Sequence, residues 1–179
     1  MVGGIGLLVV IVDFRFLNIS SLLPQFNTQT FIAWFLFAYF LGHILQAISN
    51  FLVIENKSEF SASEEEILIK AKEYFGLEKQ SSEELYKYCY MLSSAKDITG
   101  QVQSFNAYYS LYRGWFIIFT FESVFLLVFV IANWFSWHFI SLVLSILLAI
   151  LFFIRLKRFY NYSRAKTLQT FILLTKLGL

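Results

Sequence analysis

Residues 115–154 read WFIIFTFESVFLLVFVIANWFSWHFISLVLSILLAILFFI, and this stretch decides the fold. Its forty residues hold two ionisable side chains of consequence, Glu122 and His138. A polar, aromatic break, Asn133-Trp134-Phe135-Ser136-Trp137-His138, divides it into two apolar runs. Each run has about the 20 residues that a helix needs to cross the hydrocarbon of a bilayer. The pattern predicts a transmembrane helical hairpin closed by an aromatic turn.

The rest of the chain agrees. Of 179 residues, 58% are hydrophobic, 15% are charged and 22 are phenylalanine, and the mean hydropathy is +0.65. Soluble domains carry roughly 25% charged residues, and a soluble core of this length could not hide so much apolar surface. Lipid must cover part of it. Cys89 is the only cysteine, which excludes an intrachain disulfide and a multi-cysteine zinc site. The start, Met1-Val2-Gly3-Gly4-Ile5-Gly6, lacks the basic n-region and cleavage site of a signal peptide, so none is expected.

Working outward from the hairpin gives an all-α, polytopic membrane protein with spans at 115–133 and 137–154 and a third at 30–54. A further span is expected at 2–17. Its clean apolar run ends at Val12, before Asp13 and Arg15, so a short tilted crossing, a re-entrant piece and an interfacial helix all fit. The chain then divides into an N-terminal membrane part (1–54), a helical insert (55–113), the hairpin (114–154) and a basic amphipathic tail (155–179). The insert holds ten of the twelve acids and seven of the fourteen bases, a net of −3. The tail holds six bases and no acid. By the positive-inside rule, the tail and the insert are cytoplasmic. Trp34, Trp115, Trp134 and Trp137 fall near predicted span ends, as an aromatic belt requires.

The insert reads as helix. Ser61-Ala62-Ser63-Glu64-Glu65-Glu66 supplies a serine N-cap and acids in the first turn, and Gly76 stops the helix. Ile67, Leu68, Ala71, Tyr74 and Phe75 follow helical spacing. Ser81-Ser82-Glu83-Glu84 starts a second helix with Leu85, Tyr88, Cys89 and Leu92 on one face. After a break at 96–100, helix is expected from Gln101 through Arg113 into the next span. The last span is expected to continue into the tail. There Leu156, Phe159, Tyr160, Ser163, Leu168, Phe171, Ile172 and Leu174 form an apolar face, with the bases on the other side. Together these pieces suffice for a small cytoplasmic bundle.

The most pointed constellation is Tyr39, His43, Gln46 and Asn50, whose spacings of four, three and four place them on one stripe of a helix within a span. Polar groups at that depth are costly against lipid, so the stripe should face protein or water. At 1.5 Å per residue His43 lies about 18 Å from Glu55, Gln46 about 13 Å, and Glu122 about 12 Å from Gly114. Glu122 and the Gln46–His43 stretch therefore share a depth, and a contact between them is geometrically allowed. Two readings stand: an ion or proton site lining a polar path, or interhelical hydrogen bonding that fixes packing and register. No second histidine or cysteine lies within helical reach of His43, so no metal is expected there, and no cofactor anywhere.

Arg113 reads as an interfacial arginine among tyrosines, or as a partner of an acid in the insert. Arg155, Lys157 and Arg158 read as topology determinants contacting anionic lipid head groups. The tail could also dock on the acidic insert, since +6 faces −3. Nucleic-acid binding is not expected from a short tail on a chain of net charge +2. No nucleophile elbow, zinc-protease motif, Walker A or glycine-rich nucleotide loop is present, and no arginine is followed five residues later by histidine. The catalytic reading that survives, an intramembrane base–acid pair of His43 and Glu122, is the weakest of three; the chain reads as non-enzymatic.

The string Tyr39-x-x-Gly42-His43-x-x-Gln46-Ala47-x-x-Asn50, with Tyr88-Cys89 and Arg155-x-x-Arg158-Phe159-x-x-Tyr162, resembles small bacterial multi-span membrane proteins. Some of these are accessories or effectors of anti-phage and CRISPR-associated loci. The resemblance implies a bacterial inner-membrane homo-oligomer in which a cytoplasmic module senses or docks a protein partner and controls a pore or membrane-perturbing part. It transfers no catalytic residue.

Overall fold

The computed structural model describes residues 4, 6, 9, 30–52, 60–77, 79–132 and 138–178. The span expected at 2–17 and the turn at 133–137 lie outside these residues, apart from Gly4, Gly6 and Val9, each of which is helical. The architecture is all-α, as expected: α1 (Phe31–Leu52), α2 (Ala62–Phe75), α3 (Ser82–Lys96), α4 (Gln101–Ala132) and α5 (His138–Lys176). Of these, α1, α4 and α5 are long and apolar enough to cross a membrane. Most of their apolar surface is exposed on the chain by itself, which in a membrane protein is surface for lipid or for other helices. Helix α4 extends on both sides of Arg113, and α5 runs on from the last span through the tail, both as the sequence predicts. The chain forms two compact units, Met1–Ile54 with Ser110–Leu156, and Glu55–Tyr109 with Lys157–Leu179.

In the first unit, α1 buries a narrow face that includes Trp34 and Ser49. Gly6 sits so close to this face that an added Cβ would lie 2.9 Å from Leu45 and 3.6 Å from Ile118 of α4. The α4–α5 hairpin is held mainly by aromatic packing. Phe152 lies against Trp115, with ring centroids 4.9 Å apart, and stacks on Phe119 at 5.5 Å, while Phe116 meets Phe153 at 5.3 Å. Within this apolar seam the Ser145 hydroxyl donates to the Phe119 carbonyl (3.1 Å) and lies 3.2 Å from the Ser123 hydroxyl. These bonds satisfy polar groups that lipid could not. His138 is the first residue of α5, not part of a turn, and its ring rests 5.3 Å from that of Phe129.

In the second unit, α2, α3 and the last turns of α5 close around Leu68, Ala71, Leu85, Cys89, Leu168 and Phe171. The helix starts behave as their sequences dictate. The Ser61 backbone N–H donates to the Glu64 carboxylate (2.8 Å). Ser81 and Glu84 form the reciprocal pair of bonds that defines a capping box. Gly76 ends α2 at φ 66°, in the left-handed region where a side chain is strained. Asp97 accepts from the backbone N–H of Val102 (2.8 Å) and Thr99 (3.0 Å), which turns the chain into α4.

Two details depart from the amphipathic reading. Tyr88, expected on the inner face of α3, is 41% exposed at the edge of that face, and Ser93 is buried with its hydroxyl donating to the Thr167 carbonyl (2.9 Å). The tail's bases are also not all on the outer side. Arg164 is 6% exposed and lies beside Ser163 and Thr167 on the buried face, because Glu64 of α2 neutralises it there.

Candidate functional site

Helical geometry turns the α1 stripe away from the rest of its unit. At about 100° per residue, Trp34, Ala38, Leu41, Leu45, Ile48 and Ser49 share one arc, and Tyr39, His43, Gln46 and Asn50 share another, centred about 140° away. Burial follows that division. Trp34 is 8% exposed and Ser49 fully buried, whereas Tyr39 is 55% exposed and His43, Gln46 and Asn50 are all exposed. The remaining arc carries Leu36, Phe40, Ile44 and Phe51, a purely apolar surface. Three faces therefore run along α1: one packed, one polar and one suited to lipid.

The stripe is locally organised. The Tyr39 ring meets the His43 ring edge-on at 4.5 Å. Ser49 donates back to the Gln46 backbone carbonyl (2.8 Å), and Gln46 is exposed. Asn50 accepts a hydrogen bond from Arg113 of α4, and Arg113 itself is buried. One end of the stripe is thus tied to the neighbouring span, and Arg113 serves inside the first unit rather than at its surface. Glu122 is half-buried on α4, and no hydrogen bond joins it to His43 or Gln46 among the described residues. The structure brings together Tyr39 with His43 and Asn50 with Arg113.

Arg155, Lys157 and Arg158 are exposed on α5, and the Arg158 guanidinium donates to the Tyr162 hydroxyl (2.8 Å). No group of three or more histidine, cysteine or acidic side chains able to hold a metal occurs among the described residues.

Sequence reasoning missed the polar centre of the second unit. Arg164 makes a two-pronged contact with Glu64, Nε to Oε1 at 2.9 Å and Nη2 to Oε2, and lies over the Phe60 ring at 4.6 Å. Burial alone would push the Glu64 carboxyl up, but the bonds from Arg164 and Ser61 outweigh it and hold the group below its ordinary value. Glu64 in turn raises Arg164. Burial pushes the Cys89 thiol and the Tyr86 hydroxyl each up to about 12. The partners of the ion pair are a hundred residues apart, so no local spacing could reveal it. Ser123 and Ser145 carried a weak signal, as small polar residues inside apolar runs. Compared with known proteins, the chain matches no family model, no curated protein and no solved structure.

Proposed function

We propose that this chain is a non-enzymatic, homo-oligomeric membrane protein in which α1 stripes of neighbouring copies meet and line a polar path, under the control of the second unit. The observation that carries this reading is the exposure of His43 and Gln46 on a helix able to cross the membrane. Lipid is the worst neighbour for such groups, each costing on the order of 1 kcal/mol or more without a partner. A second copy presents the same amide and imidazole groups, which both donate and accept. Helices α4 and α5 each contribute residues to both units, which gives a covalent route from a binding event in one to the other. The positive-inside rule puts the second unit and the tail in the cytoplasm, with Arg155, Lys157 and Arg158 at anionic head groups. By the resemblance alone, the setting would be a bacterial inner membrane, the second unit's partner a cytoplasmic protein, and the use anti-phage defence.

A second reading is a structural or docking subunit that conducts nothing. The Asn50–Arg113 and Ser123–Ser145 bonds favour it, since both use intramembrane polar groups purely to join helices. One pair of measurements separates the readings. In a Cys89→Ala background, His43→Cys and Gln46→Cys should cross-link copies on mild oxidation in membranes, and Ile44→Cys should not. Cross-linking at Ile44 but not at the stripe would overturn both readings. Reconstituted protein whose conductance changes with His43→Ala supports a path; cross-linked but silent protein supports the docking subunit.

A further inference from the structure

Four aromatic rings of the second unit join into one cluster beside Arg158. Phe105 of α4 meets Phe159 of α5 with ring centroids 6.3 Å apart and Tyr162 at 5.9 Å. Tyr108 meets Phe159 at 5.3 Å, and Phe159 meets Tyr162 edge-on at 5.9 Å. The Tyr162 ring is thus braced by neighbours on both helices.

Tyr162 holds Arg158 in turn. The Arg158 Nε donates to the Tyr162 hydroxyl (2.8 Å), and the guanidinium carbon lies 5.3 Å from the centre of that ring. Arg158 makes no other hydrogen bond among the described residues, and it is exposed. Both terminal nitrogens of its fork therefore remain as donors. The Tyr162 hydroxyl accepts the Nε bond and keeps its own hydrogen to give. Guanidinium and hydroxyl donors side by side suit the two free oxygens of a phosphodiester. Side chains ordered beforehand lose less entropy when a ligand engages them.

Depth and charge narrow the ligand. Arg158 follows Ile154, the last residue of the apolar run, by four positions, about 6 Å along a helix. The head-group layer is about 5–8 Å thick on each side of the hydrocarbon, so Arg158 stands level with lipid phosphate. Tyr162 starts a turn farther out, but helical side chains lean toward the N-terminus, here back toward the bilayer. Helix α5 holds no acid, and α4 holds only Glu122, within its apolar span. A net anion is favoured, and the ammonium of a zwitterionic lipid finds no carboxylate on either helix at this level.

We propose that Arg158 and Tyr162 bind the phosphodiester of one anionic phospholipid, as a defined site within the diffuse attraction of the membrane surface. The site rests on the head-group placement of Arg158 proposed above, and not on the polar path. The test is native mass spectrometry of the full chain in a maltoside detergent, titrated with phosphatidylglycerol, phosphatidylcholine or inorganic phosphate. Phosphatidylglycerol should bind at least about tenfold more tightly than phosphatidylcholine, and millimolar phosphate should not displace it. Arg158→Gln should weaken it about tenfold or more, and Arg158→Lys about threefold or more, since an ammonium lacks the fork. Tyr162→Phe keeps the ring and should cost about threefold. Lys157→Gln removes the same charge about 100° round the helix and should cost less than about threefold. Equal losses from Arg158→Gln and Lys157→Gln would reduce the site to surface charge and overturn it. Equal binding of phosphatidylcholine, or displacement by phosphate, would overturn it as well. Placement is read separately, from a nitroxide on Asn161→Cys in Cys89→Ala protein in phosphatidylglycerol vesicles. A label in bulk water overturns the placement and the site together; a label at head-group depth without lipid selectivity overturns the site alone.

Discussion

Glu64 and Arg164 show how a single pair can organise a small helical unit. Both are largely removed from water, Arg164 more completely, and their two-pronged bond joins the first turn of α2 to α5. Removing one partner strands a charge, so Glu64→Ala or Arg164→Ala should each cost about 3 kcal/mol or more. The double variant should cost clearly less than the sum of the two, as measured by denaturation in detergent; simple additivity would show that the pair is not coupled. The pair also sets an acid limit. Glu64 has a depressed folded-state pKa, so its contribution is present above the ordinary carboxylate value and is lost as pH falls through the folded one. The protein with Glu64→Gln should therefore melt at a temperature less dependent on pH below about 4.5 than the parent. Cys89 belongs to the same scale. Its buried thiol, with pKa about 12, should react with maleimide orders of magnitude more slowly in the folded protein than in denaturant. Fast labelling of folded protein would mean that the core opens.

At the scale of elements, the helix ends of the second unit follow local rules closely. Ser81→Ala removes a bond to the Glu84 N–H and should cost about 1 kcal/mol, and Gly76→Ala a similar amount because its φ is positive. Thermal melts of the two variants check this; an unchanged midpoint would mean that these ends are frayed in solution. Such elements were legible in the sequence because caps, stops and apolar spacing act over four residues or fewer. The spans were legible for the same reason, since length and hydropathy are local sums. Tyr88 was misjudged because a face defined by spacing is wider than the face a neighbour covers; it stands at the edge of that face, and Ser93 lies within it. The stripe of Tyr39, His43, Gln46 and Asn50 was legible as a line. Its direction, away from the packed face of α1, was not.

For the whole molecule, the orientation proposed above rests on a few basic side chains. Replacing Arg155, Lys157 and Arg158 together by glutamine should lower the fraction of copies whose C-terminus is cytoplasmic, read with a C-terminal reporter active on only one side. An unchanged orientation would shift the topology signal to the bases of 55–113. Hydropathy, charge asymmetry and capping residues alone determined that this is an all-helical membrane protein with a charged helical insert, because each is additive along the chain and needs no knowledge of neighbours. Tertiary structure alone decided that Arg164 is buried against Glu64, that Asn50 takes Arg113, that Ser145 meets the Phe119 carbonyl, and that Phe105 packs against Phe159 and Tyr162. Those pairings join residues 26 to 100 positions apart in the chain, where many partners are equally compatible with local spacing and only packing in three dimensions selects among them.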